Sequence, residues 1–292
     1  MSIDKLQEKI RKTKNPSIVD FSVDLKQIPP HILAQEHNEI LAYDRFCREL
    51  LDGLKGMVPA VRFNMGHFSL LGPDGLFLMS RMTEYAKARD YYVLIDTPEC
   101  LSRQAAEWSV KCLFADNCIW QFDGLAVSAY AGSDALKPYM EALKASGKDL
   151  FVLLRSANKS AAELQDLLTG TRLVHMAAAD IVNRICEPLV GRSGYSQVAA
   201  IGPASVADVL KKLRARYPRL FLLLDGYDYA NANAKNCSYA FDKLGHGAIA
   251  CAGFSVTAAW DTDTSDGTDY VERAVQAAER MKKNLLRYIT IL

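Results

Sequence analysis

The chain holds no C-x-x-C pair, no cluster of histidines, no long basic run and no apolar run near membrane-spanning length. Each absence removes a class of function. A membrane span needs roughly 18 or more consecutive apolar residues, so no membrane partner is expected. Seven cysteines, an odd and scattered set, favour free thiols in a reducing cytoplasm over a disulfide framework. His31, His37, His67, His175 and His246 are dispersed, so no metal site is expected. Lys and Arg total 35 against 34 Asp and Glu, a net charge of +1, which leaves no electrostatic footprint for nucleic acid. The opening MSIDKLQEKIRKTK is charged and has no apolar h-region, so no signal peptide is expected.

What is present is ordinary globular material. The chain has 292 residues, 50% hydrophobic and 24% charged, enough for a large core. That length fits one α/β barrel of roughly 250 residues or two smaller domains.

Tyr91–Leu101 (YYVLIDTPECL) reads as a buried strand that delivers Asp96 to its C-terminal end, where α/β enzymes place chemistry. The same unit recurs along the chain. Met1–Lys14 is a weakly amphipathic outer helix, ended by Asn15-Pro16. Strands are expected over Ser17–Leu25, Ala60–Phe68, Gly124–Tyr130, Asp149–Asn158, Gln197–Gly202, Arg219–Asp228 and Gly247–Val256. Pro29-Pro30 marks a loop. Helical spacing predicts helices over His37–Leu54, from Gly72 to about Ala88, and over Ser102–Phe114 and Ser133–Ala145. Further helices are expected over Ser160–Leu168, Leu173–Leu189, Val206–Arg216, Asn236–Leu244 and Asp269–Tyr288. Eight near-continuously apolar strands, each followed by a helix, suit a parallel sheet covered on both faces. They point to a closed (β/α)8 TIM barrel occupying residues 1–292 as a single domain. A doubly wound open sheet is the alternative.

Several landmarks then fall in one order. They are Asn15-Pro16, Gly72-Pro73-Asp74-Gly75, Tyr130-x-Gly132-x-Asp134-x-x-x-Pro138, Arg155-Ser156-Ala157-Asn158 and Gly226-Tyr227. In this order the chain resembles the bacterial long-form orotidine 5'-phosphate decarboxylases. The resemblance implies a carboxy-lyase reaction of pyrimidine biosynthesis, orotidine monophosphate to UMP and CO2, with no cofactor and with dimers whose sites draw on both chains. It also implies an alternating lysine–aspartate array, centred on an Asp-x-Lys-x-x-Asp motif after the third strand. Losing CO2 from C6 leaves a carbanion, which an ammonium group must stabilise and then protonate.

Most of that array is missing. Asp96 starts the motif, but Pro98 stands at the lysine position and Leu101 at the second aspartate, or Cys100 or Ser102 if the loop slips. Ser22 stands at the first-strand aspartate. Arg62 stands at the second-strand lysine and keeps the charge, with a pKa too high to donate protons usefully. Asp96 and Arg62 are thus the residual catalytic positions. The ligand-binding positions implied by the resemblance are Asn64, Tyr130, Ser156, Asn158, Gly226 and Tyr227. Ala157 and Ala230 replace polar contacts, Phe254 falls near the phosphate-clamping arginine, and Asp225 and Asp228 would repel a phosphate dianion.

Asp96 reads either as a residual site carboxylate or as a strand-end cap. Arg62 is expected to pair with Asp96 or Glu99, because a buried charge requires a partner. Cys100 reads as a plain loop thiol. Tyr227, Tyr229 and Tyr239 read as packing or interface, and Asp261–Asp269 as a solvated turn without the closing glutamate of a calcium loop. The expected function is a degenerate paralogue, a pseudoenzyme that binds a pyrimidine-nucleotide-like ligand or pairs, as homodimer or heterodimer, with an active homologue. The alternative is a functional decarboxylase or related lyase with a rearranged site. A lysine from Lys26, Lys159 or Lys235 reaching into the mouth would favour that alternative. A third reading is a purely structural interaction protein with a filled mouth.

Overall fold

Eight parallel strands close into a barrel in a computed structural model that describes residues 1–97, 101–262 and 265–292. The strands are β1 (Ser17–Asp20), β2 (Ala60–Asn64), β3 (Tyr92–Asp96), β4 (Gly124–Ser128), β5 (Asp149–Leu153), β6 (Val198–Pro203), β7 (Leu222–Asp225) and β8 (Ala248–Ala252). Each pairs with its neighbours in the chain, and β1 closes the ring against β8 with Ser17 opposite Ala250 and Val19 opposite Ala252. Nearly every strand residue is buried. The inner face fills the barrel and the outer face lies under helices, so both faces select apolar side chains.

Most strands are shorter than the apolar runs suggest, because those runs continue into a loop or turn. After β1, the Ser22 amide donates to the Asp20 carboxylate at 2.8 Å, and Asp24 caps a short 3-10 turn at Leu25–Gln27. β2 stops at Asn64, whose side chain accepts the His67 amide at 2.9 Å and starts the short helix Met65–Phe68. The long periodic helices form as the spacing predicts: Glu39–Gly53, Gly72–Ala88, Arg103–Leu113, Ser133–Ser146, Val174–Cys186, Ala207–Arg216 and Tyr270–Leu286. Three expectations differ. The helix expected over Asn236–Leu244 is the shorter Ala234–Ser238. Residues 160–168 form only short turns of helix and then a hairpin, Leu168–Thr169 against Arg172–Leu173, which reverses at Gly170 with φ +64. The Pro29-Pro30 loop instead opens a short helix, Pro30–Gln35, because proline is pre-organised for a first helical position.

The helix Ser2–Thr13 is not an outer ornament. Ile3, Leu6 and Ile10 are fully buried. The Ser2 amide donates to the carbonyl of Gly147, just before β5, and the Gln7 side chain accepts the amide of Gly247, just before β8. The helix therefore packs at the N-terminal ends of the strands. At that end Tyr92 donates its hydroxyl to Asp149 at 2.7 Å, and Lys87 pairs with Asp123 at 2.7 Å. The opposite end, where Asp20, Asn64, Asp96, Ser128 and Asp225 finish their strands, is open. No helix among the described residues is long and apolar enough to cross a membrane, and the described cysteines are free thiols.

Candidate functional site

Arg62 and Asn64 lie two residues apart on β2 and so share its inner face. The register sets their neighbours: Asp20 of β1 is opposite Arg62, and Asp96 of β3 is opposite Asn64. From there the Arg62 guanidinium meets three carboxylates. Its Nε lies 3.0 Å from Asp96 Oδ2 and 3.5 Å from Asp20 Oδ2, and its Nη2 also donates to Asp96. Nη1 reaches across the barrel to Asp225 Oδ1 at 2.8 Å, and to Cys251 Sγ at 3.7 Å. Asn64 Nδ2 adds a contact to Asp96 Oδ2 at 3.3 Å.

One cation among three carboxylates leaves a surplus of negative charge, and the titrations follow from it. Burial works against the Arg62 charge, but Asp96, Asp225 and Asp20 together hold its pKa well above the ordinary value. Burial raises the Asp96 pKa despite Arg62, and the carboxylates of Asp20 and Asp225 add to the rise. Burial likewise pushes the Cys251 thiol well up, which removes it as a nucleophile at neutral pH.

Two cavities open on this cluster. One, of about 270 Å³, is lined by Arg62, Asn64, Asp96, Ser128, Ser156 and Asp225, with apolar walls from Ala126, Val127, Leu153 and Ile201. The other, of about 390 Å³, has Asp20, Asp24, Asp225 and Asp228 among its lining residues, together with Ser22 and His67. The His67 ring is already engaged, with Nε2 2.9 Å from both the Val23 carbonyl and the Tyr43 hydroxyl.

The structure thus brings together Asp96, Arg62, Asn64 and Ser156 around the first cavity, and Ser22 and Gly226 around the second. Ser22 holds its Oγ buried without a hydrogen-bond partner among the described residues. Gly226 has φ +75, and a Cβ there would lie 2.6 Å from that of Ala157, so only glycine fits the turn out of β7. Tyr130, Asn158 and Tyr227 line neither cavity. Tyr130 is exposed and donates its hydroxyl to the Leu154 carbonyl. Asn158 is exposed ahead of the turn Lys159–Ala161. Tyr227 is half-buried, and burial pushes its hydroxyl up to about 12. Leu101 is 79% exposed. Pro98, Glu99 and Cys100, and with them the missing lysine position and the expected Glu99 pairing, lie outside the described residues, as do Asp263 and Thr264 of the acidic turn. Lys26, Lys159 and Lys235 are exposed, and no lysine is among the residues lining either mouth cavity.

Sequence reasoning overlooked Asp20 and treated Asp225 only as a source of repulsion. Both carry the same signal: an aspartate ending a short apolar strand, SIVD and LLLD, which an inward arginine can reach across the barrel.

No family model matches the chain. It is 26% identical over 253 residues to an orotidine 5'-phosphate decarboxylase of Rhodopirellula baltica, covering 84% of each chain. It is 24% identical over 286 residues to one of Clostridium novyi, covering 98% of each. Among solved structures, a putative orotidine-monophosphate decarboxylase from Toxoplasma gondii superposes with a TM-score of 0.79 at 18% identity, covering 98% of both chains. One from Streptomyces avermitilis gives 0.76 at 19% identity, covering 98% of this chain and 95% of the other.

Proposed function

We propose that this chain, a divergent relative of the orotidine 5'-phosphate decarboxylases, is a pseudoenzyme that binds a pyrimidine-nucleotide-like ligand in its mouth without decarboxylating it. One observation carries the reading. The charged side chain at the centre of the mouth is an arginine whose fork is spent on Asp20, Asp96 and Asp225, and no lysine lines the cavities among the described residues. Decarboxylation at C6 needs a proton donor that titrates near neutrality beside the developing carbanion. A guanidinium stays protonated well beyond that range, and three carboxylates hold this one there more firmly.

Binding requires less. The first cavity offers apolar walls with Asn64, Ser128 and Ser156 as polar handles, which suits a planar heterocycle with hydrogen-bonding edges. For the chain's oligomeric state we favour a dimer of two copies. Leu70, Tyr229 and Phe254 expose apolar surface on the rim of the second cavity, and light scattering on the purified protein would measure the mass. The free thiols of the described cysteines suit a reducing cytoplasm.

The test is decarboxylation of orotidine monophosphate by the purified protein, followed through loss of orotate absorbance, with thermal shifts by UMP and by uridine on the same sample. The expected result is no turnover and a stabilising shift from at least one of the two. Turnover abolished by Asp96→Ala would sink the pseudoenzyme reading, and silence in both assays would sink the pyrimidine ligand.

A further inference from the structure

The loops that leave β7 and β8 are joined by a carboxylate. Asp228 Oδ2 accepts the Gly253 amide at 2.6 Å, and Asp228 Oδ1 accepts the Ser255 hydroxyl. In (β/α)8 barrels the loops after the seventh and eighth strands often gather backbone N–H groups around a ligand's phosphate. Here a side chain of the protein itself already holds two of these loops' donors, one backbone N–H and one hydroxyl. The cavity beside it is lined by Asp20, Asp24 and Asp225 as well as Asp228, and no lysine or arginine is among its described lining residues. Arg62 pairs with Asp20 and Asp225 but also with Asp96 of the first cavity, so one positive charge is shared among three carboxylates and the second cavity keeps a negative excess.

A phosphate dianion placed there would exchange its hydration for an excess of like charge and find two of the loops' hydrogen-bond donors occupied. An uncharged group meets no such penalty. We infer that Asp228 stands in for a ligand's phosphate, so that the mouth selects an unphosphorylated ligand, a nucleoside or free heterocycle, against the corresponding nucleotide. The heterocycle's identity rests on the pyrimidine reading above, whereas the exclusion of phosphate rests on Asp228 and its neighbours alone.

Two titrations on the full chain separate these dependences. In the first, inorganic phosphate is added to the wild type, Asp228→Asn and Asp228→Gly, with thermal stability followed against sodium chloride of equal ionic strength. The wild type is expected to be blind to phosphate. Asp228→Gly, which frees both donors and removes the charge, is expected to bind it saturably and at least tenfold more tightly than the wild type, with Asp228→Asn between the two. Far-UV circular dichroism checks that each variant folds, and Asp228→Ser replaces the glycine variant should that one unfold. In the second titration, the ratio of UMP to uridine affinity is measured by calorimetry and is expected to rise at least tenfold from wild type to Asp228→Gly. Phosphate stabilisation of the wild type, a wild-type preference for UMP over uridine, or a folded glycine variant blind to phosphate would each overturn the inference. If the phosphate titration behaves as expected while neither uridine nor UMP binds any variant, Asp228 keeps its role and the pyrimidine reading falls.

Discussion

Arg62 is the residue on which the mouth depends, since it is held by Asp20, Asp96 and Asp225 at once. Removing one member of a buried ionic network costs more than the network contributes, because the remaining charges lose their compensation. Arg62→Met should therefore destabilise the protein by about 3–5 kcal/mol at pH 7, measured by urea denaturation. The deficit should shrink as the pH falls, since carboxylates stripped of their cation take up protons more readily than in the wild type. Arg62→Lys should fall between the two, because one ammonium cannot serve three carboxylates in a planar fork. A methionine variant as stable as the wild type at pH 7 would show that the cluster has no such role. The sequence made the partner Asp96 legible, since both residues lie at familiar strand positions. Asp20 was hidden because its role depends on register: it meets Arg62 only once β1 stops at its fourth residue and lies opposite β2.

Elements that rest on periodicity were legible, and elements that rest on a single capping contact were not. The helices Gly72–Ala88 and Tyr270–Leu286 show their buried faces in the spacing of apolar residues. The ends of β1 and β2 depend instead on the Asp20 and Asn64 side chains taking nearby amides, which no apolar pattern announces. A strand start offers a sharper test. Asp149 opens β5 fully buried, with the Tyr92 hydroxyl donating to it, and burial pushes its pKa well above the ordinary carboxylate value. A raised folded-state pKa means that its favourable contribution is complete below the unfolded value of about 3.9 and is lost as the pH rises through the folded value. Asn carries no proton to lose. The stability of Asp149→Asn relative to the wild type should therefore climb as the pH rises above the unfolded value of about 3.9, by at most about 1.4 kcal/mol for each pH unit. Parallel pH profiles for the two proteins in urea denaturation would refute this account of β5.

At the scale of the whole molecule the barrel has two ends with different duties. Barrel architecture assigns stability to the N-terminal face and ligand chemistry to the C-terminal face, and the side chains divide the same way. The helix Ser2–Thr13 buries Ile3, Leu6 and Ile10 against the strand starts, while Asp20, Arg62, Asn64, Asp96 and Asp225 gather at the strand ends. The repeat of strand and helix made this architecture readable from the sequence, but the place of the first helix was not. Its apolar stripe says that one face is covered without saying by what, and only the contacts of Ser2 with Gly147 and of Gln7 with Gly247 fix it. Leu6 packs at the strand starts and lines neither cavity at the strand ends. Leu6→Ala should therefore cost about 2–5 kcal/mol of stability and leave the affinity for uridine at 15 °C within twofold of the wild type. Asp96→Asn should change uridine affinity several-fold through the first cavity and, because Asp20 and Asp225 still compensate Arg62, cost less stability than Arg62→Met. Calorimetric titration and urea denaturation on both variants measure the four quantities. A loss of uridine affinity in Leu6→Ala matching that of Asp96→Asn would mean that the two ends are coupled, and that the mouth owes its shape to the helix beneath the barrel.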